Sequence, residues 1–495
     1  MELLKTKIGN FYYKIIEKKD DNNIYQILSI PYAKADRLEH PMKIDRKKSK
    51  GGIVNKKESL CFPQKKHPFW MKYITKHFML RDEFQPINDI HTEDAFVVNI
   101  WADSNFSNKK PVLVFIHGGG EGSGTVPLYK MDNLAKKEIV CVSITYRVGN
   151  FGYMPSFDDD TIGSLAYLDQ QKALEWIKEN IEEFGGDKDN ITLMGHCGGA
   201  IAALYHYINP TSNKLFNKLI LCAGNVPILS DIEKAKADYK KVLSKNKVKN
   251  KDELKSIDQK KFMKIKGGQN DIVDGKFFTV NPLNLLERGE FPSMPVLIGS
   301  NKDEFSMIEY PMYYKFMGIT KKEEKLDEVL REKYGDLSTD LKEELASEAK
   351  DILDLQIQIM ELLVFHSSAY YLMEEIKKNS RVYGYRLNYA PNICERRLGA
   401  YHGAELVYFF DNMDKMNDEI TKEDRENIIN SQMDFVEFIK TGKISNFNTY
   451  NENGQIIEYD KVKRQIDFPH KELVRKVIKS GIADRLRKEY ISNRR

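Results

Sequence analysis

The chain contains few cysteines, and they show no regular spacing. Only five occur in 495 residues, namely Cys61, Cys141, Cys197, Cys222 and Cys394. An odd, scattered set argues against a disulfide framework, and the absence of paired spacings argues against a zinc site. We therefore expect a reducing, cytoplasmic location.

Long apolar runs and an excess of one charge are also missing. No stretch approaches the roughly 20 apolar residues that cross a bilayer, and residues 1–7 become charged before an apolar segment develops, so we expect neither a membrane partner nor a signal peptide. The 77 basic and 73 acidic residues give a net charge of +4, which is too balanced for nucleic-acid binding. A composition of 41% hydrophobic and 30% charged residues predicts a soluble globular protein.

Apolar runs of strand length alternate with helical patterns over much of the chain. This alternation predicts an α/β fold with a mostly parallel sheet flanked by helices. We expect a single domain over 1–495, with a helical lid-type insertion at about 305–380. Strands are predicted at 25–30, 95–101, 112–116, 139–144, 191–194, 218–222, 295–299 and 381–387, and helices at 164–180, 200–208 and 431–440.

The central motif is Gly195-His196-Cys197-Gly198-Gly199, which stands between a predicted strand and a predicted helix. This is the setting of a nucleophile elbow, where glycines flank a strained residue because a neighbouring segment passes too close for a Cβ atom. The turn would raise the Cys197 side chain above the sheet at a helix N-terminus. That position favours a thiolate, and the next amide can donate to an oxyanion.

Three further features fit the same chemistry in chain order. The loop His117-Gly118-Gly119-Gly120 follows a buried strand and offers bare amides for an oxyanion hole. Glu304 lies just past another strand, and His402 lies in a loop bracketed by glycines. The order nucleophile, acid, histidine is that of an α/β-hydrolase. Each feature alone is weak, but the combination predicts a Cys197–His402–Glu304 triad.

Several segments resemble the type-B carboxylesterase and cholinesterase family. The resemblance extends over most of the chain's length, and its matching segments include 30–34, 93–101, 146–152, 168–177 and 184–187, the last of which leads into the elbow. The resemblance implies an α/β-hydrolase fold, the acid and base at Glu304 and His402, and oxyanion donors at the amides of Gly119, Gly120 and Gly198. It also implies a buried structural ion pair between Glu93 and Arg147.

The chain departs from that family at the elbow, which usually reads Gly-Glu-Ser-Ala-Gly. His196, Cys197 and Gly198 differ. A thiolate attacks esters and thioesters readily, but the larger sulfur can misalign an oxyanion hole shaped for serine. Where secreted relatives carry the usual disulfide partner of Cys61, this chain has Ala95. We interpret Cys141, Cys222 and His206 as structural, and Cys394 as inert.

The sequence leaves three interpretations open. The first is a carboxylic ester hydrolase working through an acyl-enzyme on Cys197, with an acyltransferase as a variant. The second is a catalytically impaired or non-catalytic binding protein of the same family. The third is a nucleophile substituted to trap an acyl-enzyme, which the changes at His196 and Gly198 disfavour. We expect a small-molecule ester or thioester substrate, aromatic pocket residues such as Phe69, Trp70 and Tyr73, and neither a metal nor an organic cofactor; the oligomeric state is undetermined.

Overall fold

The computed structural model describes most of the chain. The described residues are 2–17, 23–44, 54–64, 90–104, 108–120, 122–124, 130–157, 163, 165–227, 229–230, 232–265, 271–306, 318–391, 398–413 and 420–485. Four predicted residues, Phe69, Trp70, Tyr73 and Cys394, lie outside them.

A twelve-stranded sheet runs through the described part of the chain, accompanied by two small two-stranded sheets. Each predicted strand is present, with bounds that differ by a few residues. The strands are β1 Glu2–Thr6, β2 Gly9–Glu17, β3 Ile24–Pro31, β4 Ala33–Lys34, β5 Met42–Lys43, β6 Leu60–Cys61, β7 Ile90–His91, β8 Val97–Asp103, β9 Lys110–Ile116, β10 Val140–Ile144, β11 Gly186–His196, β12 Lys218–Cys222, β13 Val296–Asn301, β14 Val382–Leu387, β15 Gln455–Tyr459 and β16 Arg464–Asp467.

The large sheet is parallel in its centre and antiparallel at its margins. Its strand order is β1-β2-β3-β8-β10-β9-β11-β12-β13-β14-β15-β16, and the pairings from β10 to β15 are parallel. The pairings β1-β2, β2-β3, β3-β8, β8-β10 and β15-β16 are antiparallel. This is the mostly parallel sheet that the sequence predicts.

Helices connect the parallel strands and cover the sheet. The predicted helices at 164–180, 200–208 and 431–440 are present with extended or adjusted ends. The α-helices are Asp132–Ala135, Asn150–Tyr153, Leu165–Asn180, Gly198–Ile208, Ile232–Asn246, Lys251–Ser256, Gln259–Phe262, Pro282–Glu287, Leu326–Tyr334, Leu337–Leu345, Ile352–Glu361, Ser367–Ile376, Ala404–Phe409, Lys422–Thr441, Tyr450–Asn453 and Lys471–Ser480, and a π-helical turn spans Leu362–His366.

The core lies on both faces of the sheet. In β9 the side chains of Val112 and Val114 belong to one apolar cluster, and those of Leu113 and Phe115 belong to the other. Successive side chains of a strand point to opposite faces, so a strand buried on both faces must be apolar throughout. This explains the continuous apolar runs in the sequence.

The region predicted as a helical lid connects β13 to β14. Its described residues, 305–306 and 318–380, include four α-helices and the π-helical turn, and Leu363 and Leu372 are buried in the main core. The helical character is confirmed. A function as a lid stays a prediction.

The buried ion pair expected between Glu93 and Arg147 is wrong. Arg147 instead donates to Asp169, from Nε at 2.8 Å and from Nη2 at 2.6 Å, and both side chains are buried. Glu93 is paired with Arg37. Asp169 lies on the helix Leu165–Asn180, which packs against the sheet, so it reaches the buried guanidinium that the partly exposed Glu93 does not reach.

No described helix is both long and apolar enough to cross a membrane. Within the same residues, no cluster of three or more His, Cys, Asp and Glu side chains has the arrangement of a metal site.

Candidate active site

Cys197 occupies a strained turn between β11 and the helix Gly198–Ile208. Its φ of 55° and ψ of −122° are unusual for a residue with a side chain. A Cβ on Gly195 would lie 2.0 Å from the carbonyl oxygen of Gly199, and one on Gly199 would lie 2.2 Å from that of Ile116. The elbow therefore requires glycine at both flanking positions, for the reason that the sequence suggested.

The Cys197 thiol is the accessible one among the described cysteines. Cys61, Cys141 and Cys222 are buried, whereas Cys197 is only partly buried. Burial raises the pKa values of Cys141 and Cys222 well above the ordinary value, which keeps both as neutral thiols. Their assignment as structural core residues is confirmed by this burial.

Glu304 and His402 form a hydrogen-bonded pair beside the elbow. His402 Nδ1 lies 2.5 Å from Glu304 Oε2, and the side chain of Glu304 is completely buried. Since a carboxylate only accepts, Nδ1 carries the hydrogen of this bond, and the ring directs Nε2 to its other side. The backbone N–H of Asn301 donates to Glu304 Oε1 at 2.7 Å and orients the carboxylate.

Electrostatics link His402 to Cys197 as well. Burial alone would lower the pKa of His402, but the negative charges of Cys197 and Glu304, with hydrogen bonds to both, raise it well above its ordinary value. The imidazole side chain keeps 21% of its surface exposed. The structure thus brings together the three residues of the predicted triad.

The glycine loop after β9 lies against Cys197. A Cβ on Gly118 would be 3.0 Å from the Cβ of Cys197. Gly119 and Gly120 have φ values of 123° and 58°, which favour glycine. The loop approaches Cys197 from β9, and Gly198 follows Cys197 directly. The role of the Gly119, Gly120 and Gly198 amides as oxyanion donors stays a prediction.

A buried histidine fixes the start of this loop. His117 Nδ1 donates to the Gly118 carbonyl at 2.9 Å, and its ring stacks on Tyr146 with centroids 4.4 Å apart. The Tyr146 hydroxyl donates to the His117 carbonyl at 2.8 Å. Burial lowers the pKa of His117 to about 4, so the ring is neutral near pH 7 and serves as a structural anchor.

A sequence profile of the Carboxylesterase family matches residues 2–474. The chain belongs to this family. It is accordingly an enzyme of the carboxylesterase type, a class that acts on ester bonds.

Individual relatives of this carboxylesterase are esterases or hydrolases by name. It is 30% identical over 380 residues to the para-nitrobenzyl esterase of Bacillus subtilis (strain 168), covering 72% of this chain and 75% of that protein. Pyrethroid hydrolase Ces2e of Rattus norvegicus is 30% identical over 354 residues, and cocaine esterase of Homo sapiens is 29% identical over 363 residues. The chain spans 60% and 63% of those two mammalian proteins.

Solved structures agree on the fold. A PNB esterase superposes with a TM-score of 0.74 at 24% identity, covering 96% of this chain and 99% of that one. A thermophylic PNB esterase gives a TM-score of 0.76 at 24% identity with the same coverage. The α/β-hydrolase fold predicted from the sequence is confirmed.

The structure places three further residues of this carboxylesterase beside the predicted triad. Asn301 and Glu405 were not among the predicted site residues, and His196 had been noted only as a departure from the family's elbow motif. Asn301 bridges two buried carboxylates, because its backbone N–H donates to Glu304 and its side-chain amide donates to Glu405. The His196 ring lies 4.6 Å from the His402 ring, centroid to centroid. Glu405, only three residues after His402, and Asn301, three before Glu304, stand inside the motifs that carry the triad, which was the available signal.

His206, by contrast, lies apart from the triad. Its Nε2 is 3.0 Å from Gln170 Oε1, and its ring packs edge-on against Phe277. Burial lowers the pKa of His206 to about 3. The structural interpretation of this histidine is confirmed.

Proposed function

We propose that this carboxylesterase hydrolyses carboxylic esters through a covalent acyl intermediate on Cys197. The observation that carries the proposal is the 2.5 Å contact of Glu304 with His402, beside a partly accessible thiol on a strained elbow. A binding protein would need neither the buried carboxylate nor the strained turn. Backbone strain of this kind costs about 1–3 kcal/mol and persists where function requires it.

In the acylation step, the Cys197 sulfur forms a bond to the acyl carbon. The thiol proton has moved to His402 Nε2, and Glu304 stays ionised while it holds the Nδ1 hydrogen. The amides of Gly119, Gly120 and Gly198 donate to the oxyanion as the carbonyl becomes tetrahedral. The bond to the leaving oxygen then breaks, and His402 gives that oxygen its proton, so an alcohol departs.

Deacylation reverses these roles with water. His402 takes a proton from water, the hydroxide attacks the thioester carbon, and the Cys197 thiolate leaves with the bonding electrons. A thiolate leaves more readily than an alkoxide because its conjugate acid is stronger. The acid product is released, and the thiolate and imidazolium are restored as a pair.

The proposal extends to substrate class and surroundings. Small-molecule esters or thioesters fit a family whose relatives carry names such as para-nitrobenzyl esterase and cocaine esterase. An accessible thiol nucleophile is inactivated by oxidation, so a reducing compartment such as the cytoplasm suits it.

The decisive experiment couples alkylation with turnover. The protein is treated with iodoacetamide at neutral pH, the modified cysteine is located by mass spectrometry, and hydrolysis of p-nitrophenyl acetate and butyrate is followed in the same samples. We expect Cys197 to be alkylated first and activity to fall in parallel. Cys197→Ala should lower kcat by about 10³-fold or more, as for other nucleophile deletions.

Cys141→Ala is the matched control, because it removes a buried thiol from β10, which β9 separates from β11, the strand that leads into the elbow. It should keep both the activity and the alkylation of Cys197. Absence of hydrolysis in the unmodified protein, with Cys197 reacting no faster than a simple thiol, would instead support a non-catalytic role. Transfer of the acyl group to an added alcohol or amine in place of water would support an acyltransferase.

A further inference from the structure

A second histidine and a second carboxylate lie beside the predicted triad. Glu304 serves His402, and Glu405 lies beside His196, with Glu405 Oε1 3.4 Å from His196 Nε2. The two imidazole rings are 4.6 Å apart at an angle of 40°. The side chains of His196 and Glu405 are almost fully buried, so they cannot form hydrogen bonds with bulk water.

The hydrogen bonds of Glu405 indicate which of its two carboxyl oxygens would carry a proton. Its Oε2 accepts from the side-chain amide of Asn301 and, at 3.1 Å, from the backbone N–H of Gly403. Its Oε1 has no hydrogen-bond partner among the described residues, and neither do the two ring nitrogens of His196. A buried polar atom without a partner is costly, and one proton between Oε1 and Nε2 would give each of these two atoms a partner.

The neighbouring charges favour the same arrangement. Asn301 connects the two buried carboxylates, and two adjacent carboxylates do not both ionise easily. Burial, followed by the charge of Glu304, raises the pKa of Glu405 to about 8.

Three further titratable groups interact with Glu405. The positive charge of His402 lowers the pKa of Glu405 and so opposes the effects of burial and of Glu304. Cys222 on β12 and Tyr385 on β14 interact with Glu405, and burial raises the pKa values of both well above their ordinary values. Burial and the charge of His402 lower the pKa of His196 well below its ordinary value. At neutral pH the proton therefore resides on Glu405 and points to a neutral His196.

We propose that Glu405 and His196 form a second dyad, which shares one proton, packs against the His402 ring, and controls the negative charge beside His402. This inference rests on the proposed function of Cys197 and His402. His196 and Glu405 act through His402, so they are positioning residues. When the dyad loses its proton, a negative charge appears beside His402 and stabilises the imidazolium.

The pH dependence of Cys197 alkylation tests the dyad without requiring turnover. The thiolate reactivity with iodoacetamide should change at the pH where the His402 imidazolium loses its proton. In Glu405→Gln the amide stays neutral, so this alkaline inflection should move down by about one pH unit, the shift typical of losing one nearby charge. In His196→Gln the amide can donate to Glu405 and hold it ionised, so the inflection should move up.

His206→Gln is the matched control, since it removes another fully buried imidazole, from the helix that follows the elbow. It should leave the inflection where it is, and thermal unfolding should confirm that all variants are folded. Shifts of opposite sign in the two dyad variants support the proposal. An unchanged inflection in both variants, or a shift in the same direction in both, overturns the proposal. A general loosening of the site would move the inflection in the same direction in both variants. Ester hydrolysis measured in the same samples tests the proposed function separately, because the alkylation profile does not require turnover.

Discussion

Replacing Glu304 with glutamine removes the charge that orients and stabilises His402. The carboxylate is completely buried and meets Nδ1 at 2.5 Å, so solvent does not screen it. An opposite charge at this range raises a histidine pKa by about one to three units. Each unit corresponds to about 1.4 kcal/mol. The charge therefore contributes about 1.4–4 kcal/mol to keeping the imidazolium beside the Cys197 thiolate.

We expect Glu304→Gln to lower kcat/KM for p-nitrophenyl butyrate by about 10- to 10³-fold, which is this free energy expressed as a rate. The sign of the pH effect also follows. The pKa of His402 falls when the negative charge is removed, so the alkaline limb of the rate profile should shift to lower pH. The measurement is kcat/KM from pH 5 to 10 on the variant and the unaltered protein.

Asp434→Asn provides the control for Glu304→Gln. Asp434 is also a buried carboxylate, paired with Lys463 at 2.8 Å and bonded to Tyr459, but it lies away from the elbow. It should lower stability and leave the pH profile unchanged. The reasoning is refuted if Glu304→Gln retains more than about half of the activity with an unshifted alkaline limb, because the triad would then not depend on the carboxylate charge.

Three further predictions concern stability and are checked by chemical or thermal unfolding. Gly199→Ala should destabilise the protein by more than about 3 kcal/mol, because its Cβ would meet a backbone carbonyl at 2.2 Å, whereas Gly122→Ala, with its nearest contact at 3.8 Å, should change little; equal effects would contradict the argument from close approach. Asp169→Asn should cost about 3–5 kcal/mol by leaving the buried Arg147 charge unpaired, and a cost below about 1 kcal/mol would show that the pair is dispensable. Burial lowers the pKa of His206 to about 3, so the unfolded chain binds a proton at this residue before the folded protein does, and stability falls as the pH drops below about 6.5. His206→Gln should reduce the loss of stability between pH 7 and 4.5 by about 2–3 kcal/mol. An unchanged loss would refute this prediction.

Much of the site could be predicted because its signals are local. The elbow is a strand, a turn and a helix that are contiguous in the chain, and the need for glycine at 195 and 199 follows from that geometry. The chain order of Cys197, Glu304 and His402 then predicted the acid and the base, and the structure places Glu304 and His402 in hydrogen-bond contact. Parallel strands end at one edge of the sheet, so residues that follow different strands meet there.

Partners could not be predicted where several choices were chemically equivalent. Arg147 needed a carboxylate, and Glu93 and Asp169 both qualified by type. The choice depended on how the helix Leu165–Asn180 packs against the sheet, which no local pattern encodes. His196 is a similar case, because its neighbours Glu405 and His402 come from another segment more than 200 residues away.

By itself, the sequence determined the hydrolase class, the strand and helix order, and the cysteine at the nucleophile position, because periodicity, glycine requirements and motif order are properties of contiguous residues. Only the tertiary structure decided which buried charges pair, and that a second histidine and carboxylate lie beside the triad. Those contacts join residues distant in the chain, and their geometry is set by strand order and by the packing of helices on the sheet. Burial then converts that geometry into altered pKa values, which are properties of the folded protein alone.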